Sequence, residues 1–236
     1  MEIILLHGAL GSKEQFKPLE KDLKKQGFKV HSLNFSGHGG QPFRKEGFGI
    51  KVFCWELQNF IRTKKLQHPR VFGYSMGGYV ALRLACKFPD LLGDIITLGT
   101  KLGWNTETAE KESGMLQPEK IEKKTPAFAA ELKKCHAPND WKELLSKTAE
   151  MLKQLGKEPL LTKKEFNDIK NKVTICLGDE DNMVTQKESE QAAKDLPDGK
   201  FLLLKNTPHQ IEKVDLKKIA EVLRAMTTHP PNAARA

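Results

Sequence analysis

Short apolar runs alternate along the chain with longer segments in which apolar side chains recur every three or four positions. The runs at 2–6, 29–33, 70–74, 95–98, 172–177 and 200–205 are short and mostly apolar, which predicts strands covered on both faces of a sheet. Between the second and third, Ile50, Phe53, Cys54, Leu57 and Ile61 follow the i, i+3, i+4, i+7, i+11 spacing of one buried helical stripe. The segment after Ser75 carries Gly77, Gly78, Ala81 and Ala85 on one face and is bounded by Pro89, the pattern of a helix packed closely on a sheet. Strand and helix in alternation predict an α/β fold, with a mostly parallel central sheet of about six strands flanked by helices.

The interval 104–160 is far longer than one crossover requires and predicts an inserted helical cap. Within it Trp141, Leu144, Leu145, Thr148, Leu152 and Leu155 form a helical stripe, with Asp140 and Glu143 placed to cap its start. The expected organisation is a core of 1–103 and 161–226, the cap of 104–160, and a Pro-containing tail of 227–236 that frays.

Composition narrows the class. The 236 residues are 39% hydrophobic, with 12 Phe and 3 Trp, enough to form a core of one or two domains. No apolar run approaches the roughly 20 residues of a bilayer-spanning helix, so neither a membrane anchor nor a secretory signal is expected. Cys54, Cys86, Cys135 and Cys176 show no C-x-x-C or zinc-ligand spacing and read as isolated thiols of a reducing compartment, the cytoplasm. The net charge of +9 raises nucleic acid as a partner, but the lysines are dispersed and only Arg44, Arg62, Arg70, Arg83, Arg224 and Arg235 are arginines. That distribution predicts a solvated surface and no nucleic-acid partner. The cap segment carries ten Lys against ten Asp and Glu, so the excess charge belongs to the rest of the chain.

The chemistry points to Gly73-Tyr74-Ser75-Met76-Gly77, a G-x-S-x-G between a predicted strand and a predicted helix. With seven serines and 18 glycines, chance supplies roughly 0.04 such triplets, before the flanking elements are required. A sharp strand-to-helix turn would expose the Ser75 hydroxyl and aim the helix N-terminus at developing negative charge. A serine needs a base oriented by a carboxylate. Asp179, Glu180 and Asp181 follow the fifth strand and His209 the sixth, both at the carboxyl ends of parallel strands, where open α/β sheets place their sites.

The chain resembles the α/β-hydrolase-fold superfamily over nearly its whole length. The resemblance rests on Leu6-His7-Gly8-Ala9-Leu10-Gly11, the Ser75 motif, the G-x-x-D-x-x-V of 178–184 and the late His209. It implies Ser75 as nucleophile, Asp181 as orienting acid with Asp179 as competitor, and His209 as general base. The backbone N–H groups of Ala9 and Met76 would form the oxyanion hole, with Leu10, Trp104, Phe128, Trp141 and Met183 as pocket walls. His7 and His38 would shape loops. No metal or other cofactor is expected, and the expected partner is a small-molecule substrate. The chain departs from the family in having Asn34 and Ser36 around its Gly37-His38-Gly39, where Asp and Arg are common, and in starting at the first recognisable strand, which implies a compact six-stranded sheet.

The implied reaction is hydrolysis of a small or medium carboxylic ester or thioester through an acyl-enzyme. A carbon-carbon bond hydrolase, a lyase, a cofactor-free haloperoxidase or a non-catalytic small-molecule receptor on the same fold stays open. Tyr79 stands where the menaquinone-pathway lyase of this fold usually has Arg.

Overall fold

Side chains of successive strand residues point to opposite faces, and this alternation builds two cores from one sheet. In a computed structural model that describes residues 1–225, the strands are β1 (Glu2–Leu6), β2 (Lys29–Leu33), β3 (Arg70–Tyr74), β4 (Ile95–Leu98), β5 (Val173–Glu180) and β6 (Gly199–Pro208). They form one six-stranded sheet in the order β2-β1-β3-β4-β5-β6, and every neighbouring pair is parallel. The last two strands extend beyond the 172–177 and 200–205 expected from their apolar runs. They continue as an irregular pairing in which Glu180 aligns with Pro208, carrying the backbone on toward Asp181 and His209. The expected tail, 227–236, lies outside the described residues.

Ile3, Leu5, Phe72, Tyr74, Ile96 and Leu98 turn to one face. Helices α1 (Lys17–Lys25) and, late in the chain, Leu216–Ala225 cover it through Leu19, Leu23, Ile219 and Leu223. On the other face Ile4, Leu6, Val71, Ile95, Val173 and Ile175 meet α2 (Ile50–Thr63) and α3 (Met76–Lys87). In α2 the expected stripe is the buried one: Ile50, Phe53, Leu57 and Ile61 are buried and Cys54 is half-buried.

Between β4 and β5 the chain forms α4 (Thr106–Gly114), α5 (Pro118–Lys124), α6 (Pro126–His136) and α7 (Trp141–Lys157), then α8 (Lys163–Asp168). Asp140 caps α7 by accepting the Lys142 N–H at 2.9 Å. The insertion has a small core of its own, made of Ile121, Ala129, Leu132, Trp141 and Leu145, against which Leu10 packs from the sheet domain. Its far end is tied down where the buried Tyr79 hydroxyl accepts the N–H groups of Leu160 and Leu161, both at 3.1 Å, and where Arg83 donates to the Leu160 carbonyl at 2.7 Å. After β5 come α9 (Gln186–Asp195) and, following β6, α10 (Leu216–Ala225).

Three buried histidines, His136 of the insertion among them, stand side by side. His7 and His38 lie 4.9 Å apart between ring centroids, and His38 and His136 5.9 Å apart. His7 donates from Nδ1 to the Gly8 carbonyl at 2.8 Å and accepts the Phe35 N–H at Nε2 at 3.1 Å, so the neutral ring fits and the charged one does not. Burial lowers its pKa to about 4, helped by His136 and opposed by the Gly8 hydrogen bond. Between about pH 6.5, where an unfolded histidine titrates, and this lowered value, the unfolded chain binds a proton that the folded one refuses. Stability is therefore expected to fall as pH drops through that window, by on the order of 3 kcal/mol from His7 alone. His38 and His136, also lowered by burial, act in the same direction. Urea unfolding at pH 7.5 and pH 4.5 measures this, and equal midpoints would contradict it.

Candidate active site

The elements deliver three polar side chains to the carboxyl edge of the sheet. Ser75 sits between β3 and α3 at φ 50°, ψ −116°, a region that non-glycine residues rarely adopt and that costs of order 1–3 kcal/mol. Its backbone is held by four hydrogen bonds, one of them from the Tyr79 N–H to its carbonyl at 3.4 Å. The Ser75 N–H donates to the Leu98 carbonyl at 2.8 Å, and its carbonyl accepts the Gly78 N–H at 3.1 Å and the Thr100 hydroxyl at 3.0 Å. The flanking glycines are there for space: a Cβ on Gly73 would run into the Gly78 backbone, and one on Gly77 into Leu6.

His209 follows β6, 8% exposed, and Asp181 follows β5. Asp181 Oδ2 lies 2.7 Å from His209 Nδ1, while its Oδ1 accepts the N–H groups of Met183 and Val184 at 2.8 and 2.9 Å. Burial pushes the Asp181 carboxyl up, but the His209 hydrogen bond and charge and the two amides outweigh it. Its pKa ends below the ordinary carboxylate value. Of the competing carboxylates, Asp179 instead accepts the Thr207 N–H at 3.3 Å, and Glu180 is exposed. Because Nδ1–H is committed to Asp181, Nε2 is the ring nitrogen of neutral His209 that can accept a proton.

Several contacts bring these groups to one place. The hydroxyl of Tyr74, the residue before Ser75, donates to the His209 carbonyl at 2.9 Å, and the two rings lie 5.6 Å apart. Gly99, at φ 60°, lies beneath the pair: a Cβ there would be 3.1 Å from Asp181 Oδ2 and 3.2 Å from His209 Nδ1. From the other side the loop after β1 closes in, so that a Cβ on Gly8 would stand 3.1 Å from Ser75 Cβ. Ala9 follows in that loop, and Met76 is the first residue of α3, where helix geometry leaves the N–H without an intrahelical acceptor.

The apolar candidates divide. Leu10 and Met183 belong to the loops just described, and Lys101 fixes the latter by donating to the Met183 carbonyl at 2.7 Å. Trp104 packs on the main core and donates its indole N–H to the Lys101 carbonyl at 3.1 Å. Trp141 and Phe128 lie on the insertion. Trp141 is consumed by the insertion's own core, as its place on the α7 stripe demands, and Phe128 faces outward, 42% exposed. A cavity of about 250 Å³ lies between the start of α2 and α7, lined by Phe48, Ile50, Met151, Leu155 and Leu160 among others. Ser75, Asp181 and His209 are not part of its wall.

Tyr74, Gly99, Thr100, Lys101 and His136 complete this neighbourhood. The only sequence signal for any of them was the position of Tyr74 within the G-x-S-x-G.

The family profile described as alpha/beta hydrolase fold matches residues 3–118, a stretch that contains β1 to β4 and Ser75. The chain is an α/β-hydrolase-fold protein. Over 107 residues it is 31% identical to the sn-1-specific diacylglycerol lipase ABHD11 of Mus musculus, covering 43% of this chain and 34% of that protein. A probable alcohol acetyltransferase of Saccharomyces cerevisiae is 32% identical over 100 residues, 41% of this chain and 29% of its own length. The chain thus matches about a third of the length of these curated relatives. A solved carboxylesterase structure from Nitrososphaera gargenis superposes with a TM-score of 0.78 at 13% identity, covering 96% of this chain and 89% of that one. This last likeness is one of fold.

Proposed function

We propose that this α/β-hydrolase-fold protein is a serine hydrolase that cleaves a small or medium carboxylic ester or thioester through an acyl-enzyme. The observation that carries the reading is Ser75 on a strained strand-to-helix turn, its neighbour Tyr74 bonded to the histidine whose Nδ1 is held by Asp181 at 2.7 Å. Ser75 attacks the carbonyl while His209 Nε2 takes its proton, and Asp181 stabilises the imidazolium. The Ala9 and Met76 N–H groups receive the oxyanion. His209 then protonates the leaving group, water repeats the attack and Ser75 is regenerated.

The likeness to a probable alcohol acetyltransferase of Saccharomyces cerevisiae favours a second acceptor for the same intermediate, an alcohol in place of water. The four free cysteines support a reducing compartment such as the cytoplasm. Among the described residues no helix is long and apolar enough to cross a membrane. Turnover of p-nitrophenyl esters from acetate to decanoate, with and without ethanol as acceptor, tests the reading. Chain-length-dependent release of p-nitrophenol, stopped by a stoichiometric serine-directed phosphonate, is expected. Silence across the series would overturn the ester reading and direct attention to carbon-carbon bond substrates or to a receptor role.

A further inference from the structure

The loop that carries Ala9 is a tight turn: the Gly11 N–H donates to the Gly8 carbonyl at 3.2 Å, with Ala9 and Leu10 at its corner. Leu10 sits there at φ 60°, a position where turns favour glycine because a side chain is strained. A leucine stays in such a conformation only where its surroundings over-determine it, and the helical insertion supplies two holds. The Leu10 side chain packs against the core of Ile121, Ala129, Leu132, Trp141 and Leu145. The Leu10 carbonyl lies 3.0 Å from Nε2 of His136, the last residue of α6.

The tautomer of His136 follows from its other nitrogen. Nδ1 accepts the Gly39 N–H at 3.0 Å, so in the neutral ring the proton is on Nε2 and is donated to Leu10. His136 is wholly buried, and the ring neighbours it, His38, adds no counter-charge. One imidazole thereby joins three segments: the Ala9 turn, the Gly37–Gly40 turn after β2, and the insertion. The grip on the second turn is reinforced by Asn139, whose amide donates to the Gly37 and Gln41 carbonyls at 3.3 and 2.6 Å.

We propose that His136 is a positioning residue for the oxyanion hole, using its Nε2–H to hold the Leu10 carbonyl so that the strained turn keeps the Ala9 N–H aimed at the reacting carbonyl. The inference rests on the acyl-transfer reading of Ser75 and Ala9. Without the hold on the Leu10 carbonyl, the strained turn relaxes as a unit, and the Gly8–Ala9 peptide at its start, which carries the Ala9 N–H, shifts with it. Oxyanion stabilisation is realised in the transition state, so the loss falls on kcat and spares KM. A side chain that merely docked the insertion would move melting temperature and KM instead.

The test compares His136→Phe, which keeps a ring and removes both hydrogen bonds, with His136→Gln, whose carboxamide offers one donor and one acceptor. For His136→Phe kcat on a p-nitrophenyl ester is expected to fall about 10- to 100-fold, short of the full loss of an oxyanion donor, with KM within about twofold. The affinity of an alkylboronic acid, which bonds to Ser75 and places an oxygen in the oxyanion site, should weaken by a similar factor, and His136→Gln should recover most of both. Unchanged kcat and boronate affinity in His136→Phe would overturn the proposal, even where the melting temperature falls. If His136→Phe does not fold, ¹⁵N-histidine NMR of the wild type decides: an Nε2–H tautomer supports the proposal, while an Nδ1–H or charged ring refutes it. Failure of the wild type to turn over esters or to bind the boronate through Ser75 would instead refute the underlying acyl-transfer reading.

Discussion

Ser75→Ala is expected to reduce kcat for ester hydrolysis by about 10⁴- to 10⁶-fold, down to the background set by binding and the oxyanion donors. The prediction is clean because the side chain and the backbone of Ser75 have separate duties. The fold is served by the backbone: the Ser75 N–H donates to Leu98, and the carbonyl accepts from Gly78 N, Tyr79 N and the Thr100 hydroxyl. Alanine keeps all four and keeps the Cβ at φ 50°, so the variant should melt close to wild type. Ser75→Gly relieves the strained conformation and should be as inactive while melting higher, by on the order of 1 kcal/mol, because the cost stored at this φ is released. Rates on p-nitrophenyl butyrate and thermal melts of the three proteins together test the separation. Wild-type turnover by Ser75→Ala would end the assignment of Ser75 as nucleophile.

Sequence and structure agree most closely where information is local. The six strands could be read because each is a short apolar run between turn residues, and α2 because its stripe repeats within one element. Ser75 was legible for the same reason, since the glycines that permit its turn lie two residues away on either side. His209 and the carboxylates at the end of β5 required only that parallel strands end on one edge, while the choice of Asp181 among them came from the family resemblance. What stayed hidden depends on chain segments far apart in sequence. Gly99 lies under the Asp181–His209 pair, yet nothing beside it in sequence marks it. The Tyr74 hydroxyl reaches a carbonyl 135 positions on, and His136 reaches back 126 positions to Leu10. For Trp141 helical spacing identifies a buried face without saying what buries it, and the structure supplies the insertion's own core.

Asp181→Asn is expected to cost about 10⁴-fold in kcat, the magnitude known when the orienting acid of a serine triad becomes an amide. The hydrogen bonds around Asp181 say why. Its Oδ1 accepts two backbone N–H groups, from Met183 and Val184, and an asparagine must put its carbonyl oxygen there to avoid opposing two donors with a third. The amide nitrogen then takes the place of Oδ2, 2.7 Å from His209 Nδ1, and donates to it. The His209 proton is forced onto Nε2, the nitrogen that must be free to accept the Ser75 proton, and the imidazolium loses its counter-charge. Asp179→Asn should stay within a few-fold of wild type, since Asp179 only accepts the Thr207 N–H and an amide oxygen can do the same. The acid limb of stability gives an independent reading. The Asp181 pKa is lowered in the fold, so its contribution is present above the ordinary carboxylate pKa, about 3.9, and disappears as pH falls through the lowered value. Asp181→Asn should therefore lose stability at pH 7 and show less further loss below pH 4 than wild type. An active Asp181→Asn beside an inactive Asp179→Asn would move the orienting role to Asp179, and the 2.7 Å contact would then be structural alone.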